Sequence, residues 1–288
     1  MIRLADFIIK FLEKKKINSV FTVSGGGSIF LCDALYKSKK IQYISHHHEQ
    51  AASFAAESFA RTNGKIGCCI VTTGPGGTNV VTGVSSAWID SVPVLFISGQ
   101  VFLNQTIQNT KKRQIGVQEI NIIDIVKPIT KYSKMIQDPK MINYELEKAY
   151  SLATSGRPGP VFLDIPADIQ NFYFEEKLLL KKKYKIEKQK FKFNSQINKL
   201  VKELKKSKRP LIHLGHGLKL SKSHKIVKNF FKKYRIPFVV TWNADDLISS
   251  SNKMYMGKPG AFGERGSNFI VQNCDFYLSI GSRLPYMV

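Results

Sequence analysis

Cysteine is one of the scarcest residues in this sequence, and long apolar runs are missing altogether. The four cysteines are Cys32, Cys68, Cys69 and Cys274, and none of them forms a CxxC pair. This spacing argues against a disulfide framework and a zinc ribbon, and it predicts reduced thiols in a cytoplasmic protein. No uncharged stretch reaches the roughly 18 apolar residues of a membrane span. The first residues enter an amphipathic helical pattern directly, so we expect neither a secretory leader nor a membrane partner.

Acidic residues are also few. The chain has 21 Asp and Glu against 44 Lys and Arg, a formal charge of +23. The excess is uneven, because residues 177–209 hold 14 basic and 2 acidic side chains. Lysine outnumbers arginine in this segment, whereas arginine is the better reader of phosphates and bases. We therefore interpret the charge as a solvated connection and helix face, and we expect no nucleic-acid partner.

Short apolar strands alternate with helical patterns along the 288 residues, apart from a loop-rich stretch between Ser98 and Tyr144. This alternation predicts the α/β class, with two doubly wound, mostly parallel sheets. We expect two domains, at 1–172 and 195–288, joined by a basic linker at 173–194. The second domain has three visible strands, and the sequence stops just after the last of them. It is therefore expected to be incomplete and the chain a fragment.

His46, His47 and His48 precede Glu49 at the end of a strand pattern. Adjacent side chains point in different directions, so the histidines are a poor metal site and we predict none. Glu49 lies where a strand gives way to an alanine-rich helix, at the edge of the sheet where such folds bind ligands. It is either a functional carboxylate or one that only complements the positive end of the helix dipole.

A glycine-rich loop, Thr72-Thr73-Gly74-Pro75-Gly76-Gly77-Thr78-Asn79, also follows a strand and opens a helix. Glycine lets the backbone approach a ligand closely, and proline restricts the path of the loop. A planar ring or an anion fits such a loop. An ordinary tight turn fits it as well.

Several such segments occur in a characteristic order. They are Ser24-Gly25-Gly26-Gly27-Ser28, His48-Glu49-Gln50-Ala51-Ala52, Phe59 to Lys65, Gly74 to Asn79, Asp90 to Val94, Gly99-Gln100-Val101, Gln118-Glu119 and Gly156 to Val161. Together they resemble the pyrimidine-binding domain of thiamine-diphosphate enzymes of the acetolactate synthase type, over nearly all of residues 1–170. The rest is similar to the first part of that family's central domain.

The resemblance implies roles for residues of the first domain. Glu49 matches the glutamate that bonds N1′ of the cofactor's aminopyrimidine and, with Gln118, is the predicted catalytic residue. The matched cofactor-binding residues are Gly26, Gly27, Glu49, Thr73, Gly74, Pro75, Asn79 and Gln118. Val117 stands where the family has a phenylalanine beside the substrate. Lys131 matches a basic residue near the entrance of the active site, although a surface lysine explains it equally well.

For the second domain the resemblance implies FAD as a further cofactor. The matched residues are Gly215, Gly217, Gly260 and Arg283. The match is partial, because His216 replaces a glycine and Leu284-Pro285 replaces an acidic pair. Mg²⁺ and the diphosphate are expected to be held by a domain beyond this sequence. A second subunit would complete the active site.

The implied activity is carboligation or decarboxylation of pyruvate or a related 2-keto acid, and this fragment alone is expected to be inactive. Replacement of the phenylalanine by Val117 leaves open a carboligase that transfers acetyl to a sugar-nucleotide ketone or an aldehyde. A non-catalytic pyrimidine-domain subunit is the third alternative.

Overall fold

The computed structural model describes residues 1–108, 110–175, 177, 184 and 193–284. The chain forms two compact units, 1–187 and 188–288. Tyr173 and Phe174, at the start of the predicted linker, form a strand within the first unit. Most of the remaining linker lies outside the described residues.

The first unit is built around a six-stranded parallel sheet. The strands of this unit are β1 (Ile2–Arg3), β2 (Ser19–Thr22), β3 (Gln42–Ser45), β4 (Gly67–Val71), β5 (Val94–Gln100), β6 (Tyr132–Met135), β7 (Val161–Pro166) and β8 (Tyr173–Phe174). The order in the large sheet is β3-β2-β4-β5-β7-β6, and β1 pairs separately with β8. Because all six strands run the same way, their carboxyl ends share one edge of the sheet.

Helices cover both faces of this sheet. They are α1 (Leu4–Lys14), α2 (Ile29–Lys37), α3 (Glu49–Asn63), α4 (Pro75–Asn79), α5 (Val81–Asp90), α6 (Ile122–Val126), α7 (Ile142–Thr154) and α8 (Ala167–Gln170). Along β4, Cys68 and Ile70 join the apolar core under α1, α2 and α7, whereas Cys69 and Val71 join the core under α3 and α5. The doubly wound α/β prediction is therefore confirmed for this unit.

Several short elements of the first unit, among them β6 and α4, escaped the sequence pattern. The stretch predicted to be loop-rich contains β6, a half-exposed edge strand with a serine and a lysine among its four residues. Its composition lacks the continuous apolar run of the interior strands. The glycine-rich loop contains α4, whose five residues include two glycines and therefore have a low helix propensity.

The second unit has a three-stranded parallel sheet in the order β10-β9-β11. Its strands are β9 (Pro210–Leu214), β10 (Phe238–Val240) and β11 (Phe276–Ile280). Its helices are α9 (Asn194–Lys206), α10 (Gly217–Leu220), α11 (His224–Lys233) and α12 (Arg265–Asn273). The apolar core joins β9 and β10 to α10 and α11. The predicted parallel sheet is confirmed here as well. Within the part of the chain that the structure describes, no helix is both long and apolar enough to cross a membrane.

Candidate active site

Glu49 is the first residue of α3, at the carboxyl edge of the large sheet, and its side chain is half-buried. The imidazole of His48, the residue before it, accepts a hydrogen bond from the backbone N–H of Gln50 and so caps the helix. Asn79, the last residue of α4, donates from Nδ2 to Glu49 Oε2 at 2.8 Å. A carboxylate that only complemented the helix dipole would not need this bond. The carboxylate of Glu49 is thus held by a second loop.

The glycine-rich loop is shaped by contacts that leave no room for side chains. A Cβ on Gly76 would lie 2.7 Å from Thr72 Cγ2 and 3.5 Å from Glu49 Oε1. Gly74 has φ +59° and ψ −119°, and a Cβ there would lie 2.3 Å from the carbonyl oxygen of Gln118. Such backbone angles favour glycine. The loop therefore differs from an ordinary tight turn, because it packs against both Glu49 and Gln118.

The loop after β2 meets the same edge of the sheet. The backbone N–H of Gly27 donates to Thr72 Oγ1 at 3.1 Å. A Cβ on Gly26 would meet no atom of the described residues within 4 Å, so the backbone of Gly26 faces open space. Two glycine-bearing loops and the start of α3 therefore come together beside Glu49.

Gln118 and Val117 lie on the exposed side of this arrangement. Gln118 has φ +62°, a left-handed conformation that is uncommon for a residue with a side chain. Val117 is 85% exposed, and Pro75 at the start of α4 is also exposed. Within the first unit, the position predicted to border the substrate is therefore an open surface and not a packed wall.

Thr73 differs from its neighbours because it is buried and points inward. Its Oγ1 donates to Gln100 Oε1 at 2.5 Å. Gln100 Nε2 donates to Asp164 Oδ2 at 3.0 Å, and Ser98 Oγ donates to Asp164 Oδ1 at 2.6 Å. Burial raises the pKa of Asp164 to about 7, although the bonds from Ser98 and Gln100 counteract part of this effect.

This buried polar cluster is not predicted by the sequence pattern. One feature of the sequence could have indicated the cluster, namely a single carboxylate inside the otherwise apolar strand β7. A buried charge requires polar partners. The partners lie on β5, and only the pairing of β5 with β7 brings Ser98 opposite Asp164.

Lys131 is not brought to this site. It immediately precedes β6, and its backbone N–H donates to the carbonyl of Pro160 just before β7, so it lies at the amino edge of the sheet. Its Nζ donates to the carbonyl oxygens of Ser155 and Arg157, each at 2.7 Å. Burial lowers the pKa of its ammonium group. These contacts explain the residue without the substrate role predicted for it.

The residues matched to FAD lie in the second unit, near the carboxyl ends of its strands. The N–H of Gly215 donates to Ile280 O at 2.8 Å, and that of Gly217 donates to Gly281 O at 2.9 Å. The N–H of Gly260 donates to Asn268 Oδ1 at 2.8 Å. These N–H groups already donate to acceptors within the unit, so they do not fit a site that binds the diphosphate of FAD. Arg283 follows β11 and is exposed.

Metal-ligating groups are not assembled anywhere in the described ranges, where no three His, Cys, Asp or Glu side chains are placed to hold an ion. His46, next to β3, contacts the ring of Phe21, and its Nδ1 lies 3.1 Å from the carbonyl oxygen of Ile44. This histidine is therefore accounted for by local contacts.

Comparison with known proteins shows which family models match this chain. A family described as thiamine pyrophosphate enzyme, N-terminal TPP binding domain, matches residues 2–122, and the corresponding central domain matches residues 197–288. The acetolactate synthase large subunit of Lactococcus lactis is 34% identical over 286 residues, which cover 97% of this chain and 48% of that protein.

Two further acetolactate synthase large subunits are similarly close. The protein of Corynebacterium glutamicum is 35% identical over 97% of this chain and 44% of its own length. That of Cyanidium caldarium is 32% identical over 96% of this chain and 48% of its own length. The chain spans about half the length of the curated relatives it matches.

Proposed function

The chain belongs to the thiamine pyrophosphate enzymes of the acetolactate synthase type, and we propose that the whole protein is a carboligase or decarboxylase of 2-keto acids such as pyruvate. In this proposal the first unit binds the aminopyrimidine of thiamine diphosphate. Acetolactate synthase relatives along almost the whole chain support a carboligase.

The observation that carries the proposal is the bond between Asn79 and Glu49. Asn79 holds Oε2 of the carboxylate at 2.8 Å, while Oε1 lies beside Gly76, where no side chain separates it from the loop. A carboxyl group fixed in this way presents one oxygen in a defined direction. A group that exchanges a proton with one ring nitrogen requires this fixed orientation.

Thiamine diphosphate, when bound, supplies a thiazolium carbon for attack on the keto group and an electron sink for decarboxylation. We assign to Glu49 the proton at N1′ of the aminopyrimidine. Asn79 orients this carboxylate, and the backbone of Gly74 to Gly76 borders the ring. Gly26 and Gln118 face the open side, where substrate would enter.

The test is Glu49→Gln in the complete enzyme, meaning this chain together with the part that holds the diphosphate. The amide is isosteric but cannot exchange the proton, so pyruvate consumption is expected to fall about 10²–10⁴-fold with the fold retained. Turnover is measured under cofactor saturation, and folding is checked by circular dichroism.

Glu147→Gln is a suitable control, because Glu147 bonds Lys15 at 2.7 Å in a different part of the unit. This variant should keep its turnover. Wild-type consumption of pyruvate by Glu49→Gln would remove the assignment of Glu49, whereas a complete wild-type protein that consumes no 2-keto acid would favour the non-catalytic subunit.

The partners and the metal belong to the same proposal. Mg²⁺ would be held with the diphosphate by residues outside this chain, and a second subunit would bring them to Glu49. A homo-oligomer in the cytoplasm is part of this proposal. FAD remains a prediction, and the engaged N–H groups of Gly215, Gly217 and Gly260 do not support it. Absorption of an oxidised flavin in the purified complete protein would test it.

A second candidate function concerns the acceptor of the carboligation. Val117 is 85% exposed, and its side chain is smaller than the phenylalanine that the family has at this position. This favours an acceptor larger than a second pyruvate, such as a sugar-nucleotide ketone or an aldehyde. Pyruvate consumption with each acceptor class in turn separates the two, because only the preferred acceptor should accelerate it.

A further inference from the structure

Gln100, at the end of β5, has all four hydrogen-bonding positions of its side-chain amide in use. Oε1 accepts from Thr73 Oγ1 at 2.5 Å and from the backbone N–H of Val101 at 3.0 Å. Nε2 donates to Ile120 O and to Asp164 Oδ2, both at 3.0 Å. The residue is 2% exposed, so water does not compete for these bonds.

These bonds connect two loops that carry predicted site residues. Thr73 belongs to the loop that ends with Asn79, the partner of Glu49. Ile120 closes the segment that carries Gln118. The same two loops also touch directly, where Gly74 packs against the carbonyl oxygen of Gln118. One buried amide therefore ties both loops to the central strand of the unit.

Asp164 helps to determine which way this amide faces, together with the carbonyl of Ile120 and the N–H of Val101. An ionised carboxylate can only accept from the amide, so above the pKa of Asp164 it requires Nε2, whereas the N–H of Val101 can only donate and requires Oε1. A flipped amide would place oxygen against Asp164 and nitrogen against Val101. Ser98 Oγ holds the other oxygen of Asp164 at 2.6 Å. Thr73 Oγ1 is thereby kept as the donor to Gln100.

We propose that Gln100 and Asp164 are positioning residues: the amide of Gln100 ties the 72–79 loop to the segment around Ile120, and Asp164 helps to fix the orientation of that amide. Neither residue touches the space beside Glu49. The tie is a property of this chain, and its consequence for the carboxylate of Glu49 rests on the proposed function.

The test is backbone amide hydrogen exchange of this chain without cofactor. Gln100→Met has a similar shape but makes none of the four bonds, so exchange in 73–79 and 117–122 should accelerate about tenfold or more, given the free energy of several lost bonds. Exchange of the β4 amides reports the global stability of the unit. Any change in global stability can therefore be subtracted from the change in loop exchange. Unchanged exchange in both loops would overturn the proposal.

Two substitutions of Asp164 separate positioning from mere burial. In Asp164→Asn the new amide can accept from Gln100 and donate to Ser98, so the loops should exchange within about twofold of wild type. Asp164→Leu removes one acceptor of Gln100 Nε2 and leaves the other three bonds, so the loops should exchange faster than wild type but less fast than in Gln100→Met. The side-chain NH₂ signals of Gln100 in a nitrogen–proton NMR spectrum should keep their wild-type chemical shifts in Asp164→Asn and move toward those of an exposed glutamine in Asp164→Leu. Equal loop exchange in both variants would contradict the proposed role of Asp164.

Gln170→Met is the matched control. Gln170 is also fully buried, and its Nε2 donates to Gly27 O and Ile165 O, each at 2.7 Å. This variant should accelerate exchange at 25–28 but not at 117–122, and equal acceleration at 117–122 would overturn the proposal. The hydrogen-exchange experiment does not measure turnover. If Glu49→Gln proved fully active, the proposed function would fail, but the exchange result for Gln100 and Asp164 would still hold.

Discussion

Among single residues, Asp164 makes stability depend on pH near neutrality. Burial raises the pKa of its carboxyl group from 3.8 in the unfolded chain to about 7 in the folded unit. The folded state therefore binds this proton more tightly between these two values. The contribution of Asp164 to stability is fully present when the pH is below the unfolded pKa of 3.8, and it is lost as the pH rises through the folded pKa of about 7.

Asp164→Asn should remove this dependence. The free energy of unfolding of the variant relative to wild type is expected to rise between about pH 4 and about pH 7, with a limiting slope of about 1.4 kcal/mol per pH unit. It is measured from the slowest-exchanging amides of β5 at several pH values. A difference that stays flat over this range would show that Asp164 ionises like an exposed carboxylate.

Among the secondary-structure elements, α7 is held at its carboxyl end by a lysine that the sequence analysis associated with the substrate. Nζ of Lys131 donates to the carbonyl oxygens of Ser155 and Arg157, just beyond the last residue of the helix. A cation at this position also complements the negative end of the helix dipole. Lys131 therefore stabilises the turn between α7 and β7.

Lys131→Met should lower the free energy of unfolding of the first unit by about 1 kcal/mol, because two carbonyl groups lose a charged donor. Denaturation in urea measures the change. Lys134→Met, on the exposed side of β6, is the control and should be nearly neutral. A raised KM for the 2-keto acid without loss of stability would instead restore the predicted substrate role.

For the whole molecule, the proposed function divides the cofactor between this chain and another part of the protein. Glu49, Asn79 and the glycine-bearing loops could hold an aminopyrimidine. Groups of carboxylates, histidines or cysteines able to bind a cation are lacking in the portion that the structure covers. Most of the affinity for a diphosphate comes from charged contacts, which a Mg²⁺ ion would help to provide.

Titration calorimetry of this chain with thiamine diphosphate and Mg²⁺ should therefore detect no micromolar binding. Addition of the polypeptide that carries the diphosphate-binding part should produce it, because the cofactor then contacts both halves of the site. Micromolar affinity for this chain alone would mean that the present residues grip the diphosphate themselves, against the proposed division between subunits.

The alternation of apolar strands and helices predicted the α/β class, because hydrophobic periodicity is a local property of the chain. Glu49 and the glycine-rich loop could be singled out for a similar reason. Each lies shortly after the end of a strand, and in a parallel sheet such positions share one edge. The short edge strand β6 was missed because its polar composition carries no such pattern.

Contacts between distant residues were decided by the tertiary structure alone. Asn79 reaches Glu49 across 30 positions, and Gln100 reaches Asp164 across 64. Whether such side chains meet depends on strand order and register, and neither is encoded in the local spacing of residues. For the same reason Lys131 could be matched by its neighbours in sequence and still lie at the opposite edge of the sheet. The amino-acid order thus determined the class of fold and the family, and packing determined which polar groups act together.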